Sequence, residues 1–243
     1  MVGLQARAAP AITYMKELVE EGYVGQVMSC HVSLLRDGVL EGRSSDRTWQ
    51  RDDTLGANTL TIAFGHTVDA LRFVVGEFSH VSTVVDTQAR QWLETDTRRW
   101  VDVTAPDNVL VSGRLANGGV ASVHVAGVPW AASGYRMEIY GREGTLVASS
   151  AEAPQRGEVR LQGARGRDGL LEDLEVPERH VYVLEGMPQG APYNVGQMYY
   201  RFAQAIRSGE SCQPNFDTAV ELHRFLDAIR EASDQGREVA VAA

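Results

Sequence analysis

The sequence has 243 residues, of which 44% are hydrophobic, and this is enough to bury a core. Its formal charge is -9, and it contains no basic run or stripe of alternating basic and aromatic residues, which argues against nucleic acid as a partner. No apolar run reaches the roughly eighteen residues of a membrane helix, and the N-terminus lacks a signal-peptide pattern, so we predict no membrane partner and a cytoplasmic location.

The chain begins with a predicted helix and a predicted strand. Apolar residues recur at helical spacing over residues 10–21, and Pro10 suits the first turn of a helix. Residues 26–35 alternate between apolar and polar side chains, which predicts a strand. The polar stretch 36–56 predicts a long loop, and loops of this length are often functional.

A histidine lies inside the next predicted element. Residues 57–75 carry apolar side chains all round, which predicts a buried helix that contains His66. A buried imidazole needs a hydrogen-bond partner, and Asp69 or a backbone carbonyl is one interpretation. The other interpretation is a proton donor or acceptor, because the pKa of histidine lies near neutral pH.

In the rest of the chain the spacing of apolar residues is first typical of strands and then again typical of helices. Residues 79–150 show period-two patterns with an Asn-Gly turn at 117–118, which predicts an antiparallel meander. Two helices are predicted near 194–208 and 217–235, and residues 238–243 are a plausible last strand.

Cysteines and histidines give no sign of a disulfide framework or a metal site. Cys30 and Cys212 are isolated thiols without CxxC spacing, so we predict that both are reduced and structural. The 6 histidines include no HxH or HExxH group, and we predict no bound metal. Lys16 is the only lysine beside many arginines, a bias that suggests a GC-rich bacterial genome.

Three segments together resemble one protein family. They are GLQARAAPAITYMKELVEEGYVGQVMSCHVS, TWQRDDTLGANTLTIAFGHTVDAL and the closing helix pair that begins YYRFAQAIRSG. In this order they resemble the C-terminal domain of the Gfo/Idh/MocA (glucose-fructose oxidoreductase, inositol dehydrogenase) family, over essentially the whole chain. The stretch FGHTVDAL is most similar to the branch that includes the galactose-regulon repressor of yeast.

The resemblance implies a fold and a domain organisation. We expect an α+β fold with a large, predominantly antiparallel open sheet and helices packed on one face, similar to the dihydrodipicolinate reductase-like C-terminal domain, with no Rossmann domain in this chain. Residues 1–243 would form a single domain, with residues 1–9 as a remnant of the interdomain seam. Three arrangements stay open: a piece of a longer oxidoreductase, a partner of a separate nucleotide-binding subunit, or a stand-alone relic that binds a ligand or a protein.

The resemblance also implies site residues. His66 falls on the histidine that the family uses at the reacting hydroxyl, so we expect it to act as the acid/base or as a hydroxyl contact. Asp69 would orient it, Arg7 would lie at the domain seam, and Trp49 and Arg51 would lie on the loop at the mouth of the site. We expect these four to bind substrate; the alternatives are solvated arginines and, for Trp49, a loop anchor.

The implied function is the substrate-binding and oligomerisation part of an NAD(P)-dependent oxidoreductase that acts on a hydroxyl of a sugar, a polyol or a related small molecule. A homo-oligomer, at least a dimer, would form through the open sheet face. The family implies NAD or NADP, but we do not expect this chain alone to bind it, because it has neither G-x-G-x-x-G nor the family's Glu-Lys-Pro lysine.

One departure from the family keeps other functions open. Ile62 stands where the family has an aspartate, so a carboxylate that would tune His66 is gone. The alternatives are a non-catalytic ligand-binding or regulatory protein similar to the repressor, and a cofactor-free lyase, isomerase or hydrolase that uses His66.

Overall fold

Four α-helices occur in the described residues and are distributed unevenly along them. A computed structural model describes residues 1–241. The helices are α1 Pro10–Glu20, α2 Gly65–Val75, α3 Ala191–Ser208 and α4 Phe216–Gln235. The prediction for residues 10–21 is confirmed, with Pro10 in the first turn and Ile12, Met15 and Leu18 buried on one face. Both C-terminal helices are confirmed as well.

Eleven strands are present in the described residues. They are β1 Val27–Arg36, β2 Phe78–Asp86, β3 Gln91–Glu94, β4 Arg99–Asp102, β5 Asn108–Leu115, β6 Val120–Gly127, β7 Gly134–Gly141, β8 Gly144–Ser150, β9 Arg160–Arg165, β10 Glu172–Asp173 and β11 Val239–Ala240. Nine of them form one sheet in the order β10-β9-β8-β7-β1-β6-β5-β2-β11, and β3 pairs with β4 in a separate hairpin. The predicted last strand is confirmed at β11, whereas residues 242–243 lie outside the described part of the chain.

The fold class expected from the sequence is wrong in its sheet, which is mixed. β1 pairs with β6 in parallel at the centre, from Ser29 opposite Val120 to Arg36 opposite Gly127. Between β1 and β6 the chain passes through the long loop, α2 and the strands β2 to β5. The strand β6 then runs beside β1 in the same direction. Period-two alternation is the same for parallel and antiparallel neighbours, so the local pattern does not carry this direction.

The buried helix expected over residues 57–75 is divided in two. A π-helix spans Thr59–Phe64 and continues into α2, which ends before Gly76 at a positive φ of 93°. Asn58 caps the π-helix: its side chain accepts a hydrogen bond from the Thr61 backbone N–H, and the Thr61 hydroxyl bonds the Asn58 N–H in return. This reciprocal cap sets the start of the helix at residue 59 rather than 57.

The core lies between one face of the sheet and the helices α1, α2 and α4. In β1 the side chains of Cys30, Val32 and Leu34 point into this core, and the alternate residues lie on the other face. On that second face Val84 of β2 and Leu110 of β5 are directly paired and exposed. The sheet therefore has one covered face and one open face. The organisation of residues 1–243 as a single domain stays a prediction.

Candidate functional site

A cavity of about 270 Å³ lies where β1 and β6 end and β5 begins. The segment after β1, the start of the π-helix and Trp92 of the β3-β4 hairpin complete its wall. Carboxyl ends of neighbouring parallel strands meet at one edge of a sheet, and the loops that follow them are a common place for ligands. The cavity is therefore the candidate site, and the long loop predicted to be functional forms part of it.

Ile62 and His66 both belong to the helical segment that the sequence predicts over residues 57–75, and one of them lines the cavity. Ile62 lines the cavity and is 44% exposed. His66 follows four residues later, so both side chains lie on the same side of the helix, although His66 itself is not part of the cavity wall. π-Helical turns recur at functional sites, and here the π-helix presents Ile62 to the cavity.

The imidazole of His66 has an unusual environment. Its Nδ1 atom is buried and has no hydrogen-bond partner within residues 1–241. Burial lowers the pKa of His66 below its ordinary value of 6.5, and the negative charge of Asp69 opposes this shift only in part. A neutral ring with a free nitrogen can accept a proton, and a buried polar atom without a partner gains from a ligand or water that supplies one.

Asp69 and Arg7 bind each other rather than His66. Asp69 is fully buried, and its two carboxylate oxygens accept hydrogen bonds from Nε and Nη2 of Arg7 at 2.8 and 2.6 Å. The guanidinium of Arg7 also lies over the ring of Phe73. The pair ties the segment before α1 to α2, which is a structural role. Contact of either residue with substrate stays a prediction.

Trp49 and Arg51 lie beside the cavity without lining it. Both belong to a 3-10 helix, Thr48–Arg51, in which Gln50 is the residue that reaches the wall. Trp49 is 50% exposed. Arg51 donates from Nη1 to the carbonyl of Asp102 at 3.0 Å, which holds the loop against the small hairpin. Substrate binding by these two residues also stays a prediction.

Three arginines of the cavity wall are absent from the site residues that the sequence predicts. Arg36, Arg43 and Arg47 all line it. The sequence signal for them is their concentration in the polar stretch 36–56, where the family resemblance points to Arg51 alone among the arginines. Spacing along an irregular loop does not reveal which side chains converge, so the cluster becomes visible only in three dimensions.

Metal ligands and membrane spans are not found in the described part of the chain. Within residues 1–241 no group of three or more His, Cys, Asp or Glu side chains is placed to hold a metal ion. No helix in the same range is long and apolar enough to cross a membrane. Cys30 and Cys212 are both free, and burial raises the pKa of the Cys30 thiol to about 12, which makes it inert.

The described residues contain no glycine-rich turn of the kind that holds the pyrophosphate of a nicotinamide dinucleotide. Such a group is held where a glycine-rich turn leads from a strand into a helix N-terminus. The strand β1 leads instead into the long loop, and no G-x-G-x-x-G sequence occurs in residues 1–241. No part in nucleotide binding is therefore assigned to these side chains.

Comparison with known proteins gives two kinds of relative. The family model described as "Gal80p, C-terminal domain" matches residues 10–150. Levoglucosan dehydrogenase of Pseudarthrobacter phenanthrenivorans is 27% identical over 253 aligned residues, which cover 96% of this chain and 64% of that enzyme. The galactose/lactose metabolism regulatory protein GAL80 of Kluyveromyces lactis is 30% identical over 131 residues, 49% of this chain and 28% of that protein.

Solved structures agree on the fold. The complex of levoglucosan dehydrogenase with NADH and levoglucosan matches all of this chain and 66% of the enzyme chain, with a TM-score of 0.84 and 24% identity. The complex with NADH and L-sorbose gives a TM-score of 0.81 and covers 65% of that chain. The chain thus spans less than two thirds of the first relatives. This coverage does not establish that a Rossmann domain is absent, so the expected fold class is also uncorroborated in its statement that the chain has no Rossmann domain.

Proposed function

The chain belongs to the family of the Gal80p C-terminal domain. On that premise we propose that it is the substrate-binding and oligomerisation part of an NAD(P)-dependent oxidoreductase. The proposed substrate is a hydroxyl compound: a sugar, a polyol or a related molecule. One observation carries the proposal. His66, whose buried Nδ1 has no partner within residues 1–241, lies about one helical turn beyond a residue of the cavity wall.

The proposed task of His66 is proton transfer at the substrate hydroxyl. Removal of hydride from a carbinol carbon is coupled to loss of the O–H proton, so a base beside the hydroxyl accelerates it. Because burial lowers its pKa, His66 is neutral at pH 7 and can accept that proton. The nicotinamide would accept the hydride; the residues of this chain would hold the hydroxyl compound and move the proton.

The proposed assembly is a homo-oligomer, at least a dimer, that forms through the open sheet face. Val84 and Leu110 are 56% and 41% exposed there, and paired apolar side chains on an open sheet face favour burial against a second copy. A separate nucleotide-binding subunit is a further proposed partner. We also propose that the protein works in the cytoplasm.

Turnover in the natural, full-length context tests the proposed function. The protein is incubated with NAD⁺ or NADP⁺ and a panel of neutral and acidic sugars and polyols that includes levoglucosan, and reduced nicotinamide is measured. We expect at least one hydroxyl compound to be oxidised. Ligand binding without reduced nicotinamide for any member of the panel would contradict the enzyme proposal.

A regulatory protein is the second candidate function, because Ile62 occupies the position of the family aspartate. This side chain faces the cavity, where a carboxylate would be expected to assist proton transfer. The GAL80 relative is a regulatory protein by name. Replacement of Ile62 by Asp separates the two functions. In a working dehydrogenase this substitution should change the turnover number by at least about tenfold. A regulator should show no turnover with either residue.

A further inference from the structure

We propose that Arg36, Arg43 and Arg47 form a binding site for an anionic group, a carboxylate or a phosphate, on the small hydroxy compound that occupies the cavity. The identity of that compound as an oxidation substrate rests on the proposed function, whereas the anion site itself is tested by binding alone. The substrate class is then acidic sugars, polyol acids or their phosphate esters rather than neutral sugars.

The three arginines form no ion pair with the described residues. Within residues 1–241 none of them has a carboxylate oxygen within 4.0 Å, although nine other basic side chains do. This local excess of positive charge occurs in a chain whose formal charge is -9. Clustered like charges repel one another, and a bound anion removes that cost.

Two acidic residues also line the cavity, but within residues 1–241 neither forms an ion pair with the three arginines. Asp107 is buried, and its carboxylate accepts hydrogen bonds from the backbone N–H groups of Gln88 and Ala89 and from the side chain of Asn108. Asp37 is exposed and makes no ion pair in the described residues. The lining therefore keeps more positive than negative groups.

Arg43 is held in position before any ligand arrives. Its guanidinium carbon lies 3.5 Å from the centroid of the Trp92 ring, a stacked arrangement that fixes the plane of the guanidinium. Its backbone N–H donates to the carbonyl of Leu93, but its guanidinium N–H groups make no hydrogen bond to residues 1–241, so they are free to bind an anion through two parallel bonds. Burial lowers the pKa of Arg43, the charges of Arg36 and Arg47 lower it further, and Glu41 opposes them.

Trp92 supplies independent support. It lines the cavity and is only 7% exposed, yet its indole Nε1–H has no acceptor within residues 1–241. A buried donor without a partner is rare in native proteins, and an anionic or hydroxylated ligand in the cavity would supply the acceptor.

The geometry also gives the ligand an orientation. The arginines belong to the end of β1 and the loop after it, whereas Ile62 lines the cavity from the π-helix, about one helical turn before His66. An anion held by Arg43 leaves the rest of a small molecule to extend past Ile62, with a hydroxyl toward the imidazole. A volume of about 270 Å³ is near the lower limit of small-molecule pockets, which suits a compound of this size.

Calorimetric titration of the purified 243-residue chain at low salt tests the inference. The probes are gluconate, glucose 6-phosphate, inorganic phosphate and neutral glucose. We expect at least one anionic probe to bind about tenfold or more tightly than glucose. Comparison of the affinity for gluconate with the affinities for the two phosphate probes shows whether the site favours a carboxylate or a phosphate. Equal binding of glucose, or no binding of any anionic probe, would overturn the inference.

Variants attribute the binding to the cluster. Arg43→Gln should weaken the anionic probe by about tenfold or more, and Arg47→Gln, at an exposed position, gives the same test if the first variant fails to fold. Arg167→Gln, on a distant exposed turn, is the matched control and should leave binding unchanged. Unchanged binding in both cluster variants would refute the site.

The two proposals fail in different ways. A chain that binds anions through Arg43 but supports no turnover in its natural context would refute the oxidoreductase and keep the anion site. An enzyme that oxidises only neutral sugars, with turnover unaffected by Arg47→Gln, would keep the oxidoreductase and refute the anion site.

Discussion

At the scale of single residues, the clearest feature is the buried carboxylate of Asp69 and its partner Arg7. The side chains are 1% and 15% exposed, so neither is well solvated. The two residues lie 62 positions apart, which is why the sequence suggested the nearby His66 as the partner of Asp69 instead. Local spacing identifies neighbours on one helix, but it does not report a third side chain that arrives from another element.

We predict that Asp69→Asn destabilises the protein by about 3 kcal/mol, because Arg7 is left shielded from water without its counter-charge. The measurement is urea denaturation. Asp173→Asn is the matched control, since Asp173 also receives two bonds from an arginine, Arg160, but both side chains are more than half exposed. Equal effects of the two substitutions would show that burial does not strengthen the pair.

We predict that His66 titrates below 6.5, which NMR of the imidazole protons measures directly. The pKa is lowered in the folded state, so the unfolded chain binds the proton more readily. The contribution of His66 to stability is therefore fully present above pH 6.5 and is lost as the pH falls from there toward the folded-state pKa. A measured pKa above 6.5 would mean that Asp69, rather than burial, dominates its environment.

At the scale of elements, the start of the π-helix determines the wall of the cavity. Asn58 is 7% exposed, caps this helix and also donates to Asp53, which in turn accepts a hydrogen bond from Arg230 of α4. One side chain thus joins the long loop, the π-helix and the C-terminal helix. Since Asn58 also lines the cavity, its capping geometry positions Ile62.

We predict that Asn58→Ala costs about 1 to 2 kcal/mol of stability and also weakens the binding of an anionic probe, because the cavity wall loosens. Asn215→Ala provides the comparison. Asn215 caps α4 with the same reciprocal arrangement through Thr218 but lies away from the cavity. Thermal unfolding and calorimetry on both variants should give similar losses of stability and a loss of binding only for Asn58→Ala; weakened binding in both would contradict the assignment.

The elements that the sequence predicts well are those whose signal is local. α1 and α4 follow from helical spacing, with Pro10 in the first turn of α1, and the strands β5 to β8 follow from alternation and the turn at Asn117. The cap of α4 is Asn215, although Asp217 is the N-cap that the pattern suggests. The parallel pairing of β1 with β6 joins strands about ninety residues apart, and nothing within either strand encodes it. The convergence of Arg36, Arg43 and Arg47 has the same origin, because the cavity is made by the packing of distant segments.

At the scale of the whole molecule, the open face of the sheet leads to a prediction about assembly. We expect the protein to be at least a dimer by light scattering. Leu110→Glu should reduce the observed mass, because it places a charge beside Val84 in the proposed interface. Leu184→Glu is the control, since Leu184 is 84% exposed and lies outside the strands. Dissociation by Leu184→Glu alone would show that the interface lies on another surface.

The central claim is that the chain presents a hydroxyl compound to His66, and the turnover number of His66→Asn tests it most directly. Asparagine keeps polarity but has no titratable nitrogen, so we predict a loss of kcat by about 100-fold or more with a nearly unchanged melting temperature. His223→Asn, at an exposed position of α4, should retain full turnover. A His66→Asn variant that folds and keeps its kcat would contradict the account.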